Sequence, residues 1–186
     1  IQVSTPDRHG YVSLGTSVDA TLAAVECADT VIAVVNRHVP RSFGDSFIHT
    51  SQIDLFVEDD TPLIEEHFAE PNDLECAIGR NCAALIEDGA CLQMGIGAIP
   101  NAVLGSHKNL GVHTEMFADG VLPLVESGVI NGANKKIDKG KMVSTFLMGS
   151  HRVYDFIDNN PGVLMKDVGY TNDPFVIAQN LKVTAI

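Results

Sequence analysis

Short apolar, β-branched runs alternate along this chain with stretches whose apolar residues recur at helical spacing. That alternation predicts βα units and a largely parallel sheet. Residues 12–14 read as a short strand. Over residues 17–27, Val18, Leu22 and Val25 fall on one helical face. Residues 30–35 (Thr-Val-Ile-Ala-Val-Val) form a near-continuous apolar run, the pattern of a strand covered on both sides. A loop with Pro40, Gly44 and Ser46 separates it from a second extended piece at 53–57.

The pattern then breaks. Residues 58–71 hold Glu58, Asp59, Asp60, Glu65 and Glu66 together with two prolines, and they read as a solvated linker between two domains, 1–70 and 71–186. Beyond it, Asn72 or Asp73 is placed to cap a helix carrying Leu74, Ala77, Ile78, Cys82 and Leu85, which Gly89 ends. A strand is expected at 90–94, followed by a helix with Pro100 in its first turn. Another strand is expected at 110–114, then a helix capped by Asp119 and stopped by Gly128. Residues 128–149 suggest an irregular or hairpin excursion holding Lys135, Lys136, Lys139 and Lys141, four of the seven lysines. Ser150 is placed to cap a helix with Val153, Phe156 and Ile157 inward, Asp173-Pro174 opens a short helix to Asn180, and 182–186 reads as a strand.

Composition narrows the class. The 186 residues are 45% hydrophobic with a net charge of -12, as in an acidic soluble globular protein. That balance argues against nucleic acid as a partner, since phosphate binding wants clustered Lys and Arg. No apolar run is long enough to span a bilayer. The chain opens on Ile1 without a signal peptide and closes on a strand-like segment, so it reads as an internal piece of a longer protein. Cys27, Cys76, Cys82 and Cys91 form no C-x-x-C pair; they read as small buried residues of a reducing, cytoplasmic compartment, and no metal is expected.

Two strand ends carry the candidate chemistry. The stretch Gly111-Val112-His113-Thr114-Glu115-Met116-Phe117-Ala118-Asp119-Gly120 sets His113, Glu115 and Asp119 between an apolar strand and the next helix. Ligands of open α/β sheets bind at the carboxyl ends of strands. Glu115 is the candidate nucleophile or base. His113 shares a strand face with it by alternation, although a lone histidine is more often structural, and Asp119 reads first as a helix cap. Upstream, Gln93-Met94 runs into Gly95-Ile96-Gly97, where glycines let backbone approach a ligand and N–H groups at a helix start favour negative charge. The same glycines also suit a plain tight turn. They make no dinucleotide fingerprint, because Pro100 stands where the third glycine is needed, and the chain has neither a P-loop nor a G-x-S-x-G elbow. The lysine cluster reads as a solvated loop or as a phosphate cradle.

Taken together, Ser4-Thr5-Pro6-Asp7-Arg8-His9-Gly10, Pro40-Arg41-Ser42-Phe43-Gly44-Asp45-Ser46, the run from Gln93 to Val103, Leu110-Gly111-Val112-His113-Thr114-Glu115-Met116 and Tyr170-Thr171-Asn172-Asp173-Pro174 resemble the acetyl-CoA hydrolase/transferase family, in its 4-hydroxybutyrate and butyrate CoA-transferase branch. The resemblance implies an α/β fold of the CoA-transferase (NagB/RpiA-like) type, with mostly parallel sheets and flanking helices. It further implies a fragment joining the tail of one domain to the start of the next. It assigns Glu115 as catalytic nucleophile and Gln93, Met94, Gly95, Ile96 and Gly97 to coenzyme A binding. The implied reaction moves CoA from an acyl-CoA to a short carboxylic acid through a glutamyl-CoA thioester, and the expected assembly is a homo-oligomer. An acetyl-CoA hydrolase, a CoA-binding module without catalysis, and an isomerase using Glu115 as base with a lysine phosphate cradle are the alternatives.

Overall fold

The computed structural model describes residues 1–67, 69, 71–95 and 107–186. In chain order, β1 (Gln2–Val3) and β2 (Tyr11–Ser13) precede α1 (Thr21–Cys27), β3 (Ile32–Val35), β4 (Phe43–Gly44), β5 (Phe47–His49) and β6 (Leu55–Glu58). Then come α2 (Asp73–Ala83), β7 (Cys91–Gln93), β8 (Gly111–His113), β9 (Met116–Phe117) and α3 (Leu122–Glu126). The chain closes with β10 (Met142–Ser144), β11 (Phe146–Leu147), α4 (His151–Ile157), β12 (Val163–Met165), α5 (Val168–Thr171), α6 (Pro174–Ile177) and β13 (Val183–Ala185).

The main sheet has six strands in the order β13-β7-β8-β10-β12-β4, every pair parallel. A second parallel sheet, β1-β3-β6, and two small pairs, β2-β5 and β9-β11, complete the architecture. Successive strands from β7 to β12 step across the sheet in one direction, and the chain then returns to place β13 on the other side of β7. The order therefore reverses at β7, and at such a switch point the carboxyl ends of the strands frame a crevice. Gln93 to Gly95 leave the sheet there.

Two expectations change. Residues 128–149 are not a hairpin: they include β10, which lies between β8 and β12, and β11. The preceding α3 is the crossover that parallel neighbours require, and the stretch after it returns the chain to the sheet. The acidic run at 58–71 is no free linker, because Glu65 accepts from His151 N (2.8 Å), Glu66 N donates to Gly149 O (3.0 Å) and the Tyr154 hydroxyl donates to Ile64 O (2.6 Å). Residues 1–70 keep a sheet of their own, β1-β3-β6, and the pair β2-β5, yet they are joined to the rest of the fold. β4 pairs with β12 (Gly44 opposite Met165), and one apolar core runs from Val3 and Ile48 through Leu92 and Val112 to Ile157 and Met165. The central strands β7, β8 and β10 are enclosed at Leu92, Val112 and Val143, whereas β3, expected to be covered on both sides, is covered on one only: Ala33 is buried and Ile32 is exposed, because β3 belongs to the smaller sheet.

Local signals hold elsewhere. Asn72 caps α2 by accepting from Leu74 N and Glu75 N (both 3.0 Å), and Glu75 returns the bond to Asn72 N (2.8 Å), a capping box worth about 1 kcal/mol. Yet Leu74, Ile78 and Leu85, expected on the buried face, are exposed. Of the cysteines only Cys91 is buried; Cys27 is exposed, and all four are free. The predicted helix around Pro100 lies outside the described residues.

Candidate active site

The site is built at the carboxyl ends of two paired parallel strands. Cys91 and Leu92 of β7 lie opposite Gly111 and Val112 of β8, so Met94 and Thr114 leave the sheet side by side. Thr114 is buried and bonds across the gap: Met94 N donates to its Oγ1 (2.9 Å), and the hydroxyl proton lies within reach of Met94 O (3.0 Å) and Met116 O (2.9 Å). One hydroxyl thus ties the turn after β7 to the residue preceding Glu115. Thr114→Val keeps the shape and strands a buried amide, so it is expected to lower stability by about 1–3 kcal/mol. Urea denaturation of both proteins checks this.

Glu115 itself is held by its backbone. Its carbonyl accepts from Thr145 N (3.0 Å), Phe146 N (3.1 Å) and Ser144 Oγ (3.1 Å), all from the corner between β10 and β11. Its side chain is exposed on this chain, and Oε2 accepts from Asn172 Nδ2 at 3.2 Å. Asn172 follows α5 directly, 57 positions downstream, and was not singled out by residue type; its place in the Tyr170–Pro174 resemblance segment was the available signal. Asp173 opens the next helix by accepting from Phe175 N (2.7 Å), which fixes the chain just past Asn172.

His113 shares this surroundings. The residue is 4% exposed, and Nε2 donates to Thr171 O at 3.0 Å. Burial pushes its pKa down, leaving a neutral ring. Tyr170 packs beside it with ring centroids 5.9 Å apart, and the Tyr170 hydroxyl donates to Asp138 (2.7 Å). Burial first, then the Asp138 carboxylate, raises the Tyr170 pKa to about 12. An acid raised in the folded state loses its proton first when unfolded. Tyr170 therefore contributes stability in full below pH ~10, and that contribution fades as pH rises toward 12. Burial raises the Tyr154 pKa as well, so ultraviolet titration is expected to show two of the three tyrosines ionising late, and Tyr170→Phe removes the step near pH 12.

The remaining candidates separate. Gln93 is half-buried and Met94 buried at the end of β7. The Gly95 amide, expected as a bare donor, instead donates to Ile186 O (2.9 Å), because β13 pairs alongside β7 and extends the ladder by one residue. Ile96 and Gly97 lie outside the described residues. Asp119 does not cap the helix after it. Its carboxylate instead accepts from Ser150 N (2.7 Å) and the Ser150 hydroxyl, joining the start of α4. The lysine cluster also divides. Lys135 is buried, its Nζ donates to Val112 O (3.0 Å) and Lys141 O (2.9 Å), and its stem fills the space a Gly111 side chain would take. Burial pulls its pKa below the usual lysine range. Lys141 is spent on Pro161 O (2.7 Å). Lys136 and Lys139 remain exposed, but they precede β10, at the opposite end of the sheet from Glu115. A phosphate cradle serving Glu115 is not assembled. Among the described residues no cluster of three His, Cys, Asp or Glu side chains is placed to hold a metal, and no helix is long and apolar enough to cross a membrane.

Family models for the acetyl-CoA hydrolase/transferase N-terminal and C-terminal domains match residues 1–65 and 149–186. The chain belongs to the acetyl-CoA hydrolase/transferase family. It is 54% identical over its whole length to a 4-hydroxybutyrate coenzyme A transferase of Clostridium kluyveri, covering 44% of that protein. It is 50% identical, again over its whole length, to a succinyl-CoA:acetate/propanoyl-CoA:succinate CoA transferase of Fasciola hepatica, covering 40% of it. The crystal structure of a 4-hydroxybutyrate CoA-transferase from Porphyromonas gingivalis superposes with a TM-score of 0.95 at 46% identity, over 99% of this chain and 48% of that one. The chain thus spans less than half the length of these relatives. At this likeness the mostly parallel α/β architecture is that of the family's CoA-transferases.

Proposed function

We propose that this chain carries the nucleophile of a CoA-transferase, Glu115, together with part of what binds coenzyme A, the segment Gln93, Met94, Gly95, Ile96 and Gly97, of which the last two lie outside the described residues. One observation carries the reading: Glu115 follows the carboxyl end of β8 with its carboxylate accepting from the Asn172 amide, while the residue before it, Thr114, bonds Met94 N just past β7. The names of its relatives support transfer rather than hydrolysis.

In the proposed cycle a Glu115 carboxylate oxygen attacks the thioester carbonyl of an acetyl-, butyryl- or 4-hydroxybutyryl-CoA. The C–S bond breaks, CoA leaves as thiolate, and a mixed anhydride remains on Glu115. The thiolate then attacks the glutamyl carbonyl, which releases the carboxylic acid and leaves a glutamyl-CoA thioester. A second carboxylate runs the steps in reverse. A carboxylate nucleophile suits this exchange because it splits one transfer into two nearly balanced acyl transfers. Water must be kept out at both intermediates. Glu115 is exposed on this chain, so we assign that exclusion to the full-length protein. We further propose a cytoplasmic homo-oligomer; four free cysteines support the compartment.

Free CoA release from acetyl-CoA, measured with and without butyrate, tests transfer against hydrolysis. A transferase is expected to form butyryl-CoA and to release little free CoA. Release that ignores the added acid would establish the hydrolase.

A further inference from the structure

His113 is buried at the head of the turn that delivers Asn172, yet the proposed cycle gives it no task. Its Nε2 is 3.0 Å from Thr171 O, an atom that only accepts, so the ring proton resides on Nε2. Nδ1 is enclosed, with no hydrogen-bond partner among the described residues. A buried polar nitrogen without a partner is uncommon and calls for an explanation. The bond from Nε2 joins β8 to the last residue of α5 across 58 positions of sequence. The next residue, Asn172, donates to Glu115. Glu115 and His113 both project from the end of β8, and both meet the same two-residue turn. The turn is held from behind as well, because Thr171 is buried with its hydroxyl on Asp167 O (3.1 Å).

We propose that His113, as the neutral Nε2–H tautomer, is a positioning residue: it docks the Thr171-Asn172 turn onto β8 so that the Asn172 amide holds one oxygen of Glu115 and aims the other at the incoming carbonyl. This rests on Glu115 being the nucleophile. His113 touches neither substrate nor Glu115, and acts only through Asn172. Without its N–H the turn loses its tie to β8, and the carboxylate samples orientations unsuited to attack.

The test uses the full-length protein. His113→Leu fills the site without a donor, and His113→Gln restores one at similar reach. Single-turnover formation of the Glu115–CoA adduct is expected to slow by about 10–100-fold in His113→Leu with the acyl-CoA KM changed less than about threefold, and His113→Gln should recover most of the rate. In an Asn172→Ala background His113→Leu should cost nothing further, because the path it serves is already cut. A rate loss that persists undiminished in that background makes His113 merely structural and overturns the proposal, as does a His113→Gln protein no faster than His113→Leu. Nitrogen NMR of the His113 ring gives a readout independent of turnover: an Nε2–H tautomer is expected, and an Nδ1–H tautomer would overturn the assignment. Should the unaltered protein form no adduct on Glu115, the mechanism itself falls, an outcome separate from any difference among the His113 variants.

Discussion

Replacing Glu115 with alanine is expected to lower CoA transfer by about 10⁴-fold or more, because the covalent route closes altogether. Glu115→Asp is the sharper version. It keeps the charge but withdraws the carboxylate by one methylene, and misplacement on the order of 1 Å costs about 10²-fold. The backbone cannot follow the shortened side chain, since three donors from the β10–β11 corner hold the Glu115 carbonyl in place. Incubation of the full-length protein with acetyl-CoA, followed by peptide mass mapping, is expected to place a CoA adduct on the Glu115 peptide. An adduct on another residue, or an alanine variant with undiminished turnover, removes Glu115 from the mechanism.

Gly44→Ala is expected to be strongly destabilising for the addition of one methyl group. Gly44 adopts φ +104, a conformation L side chains rarely take, and an added Cβ would lie 2.3 Å from Met165 O and 2.9 Å from Met165 N. Those atoms are backbone of β12, so nothing can rotate aside. Relief requires β4 to leave the sheet, and with it Asp45, whose carboxylate meets Lys166 at 2.8 Å. Strain and overpacking each cost about 1–3 kcal/mol, so a total of about 3 kcal/mol or more is expected, roughly 10 °C in melting temperature for a domain of this size. Gly128→Ala is the control. Gly128 is also left-handed, at φ +77, but nothing lies within 4 Å of its added Cβ. It should cost only the strain. Equal melting temperatures for the two variants would show that the close approach to β12 is not what Gly44 serves.

Both residues were visible in the sequence, for different reasons. Glu115 stood out because it follows an apolar strand, and the ends of parallel strands are where side chains escape the core. By sequence Gly44 reads only as part of a loop and of a resemblance segment. That it belongs to an edge strand of the main sheet depends on β12, about 120 positions away, and no local pattern carries that pairing. β10 is illegible in the sequence for a related reason. Met142-Val143-Ser144 is too short and too mixed to announce a strand, and its placement between β8 and β12 comes from burial on both faces. The described residues of the acidic run at 58–71 are mostly exposed, as their composition suggests, yet the Ile64 carbonyl and Glu65 carboxylate also bond α4.

The sequence by itself determined the alternation of strands and helices, the caps at Asn72 and Asp173, the turn at Gly128 and the identity of the acidic side chain at the end of β8. These depend on spacing and on groups a few residues apart. Only the tertiary structure decided that residues 1–70 and 71–186 share one core, that Lys135 is buried beneath Gly111, that the Gly95 amide belongs to Ile186, and that Asn172 and His113 converge on the turn beside Glu115. Those are contacts between segments far apart in the chain. Their free energy comes from closing the sheet and burying its faces, which no window of neighbouring residues contains.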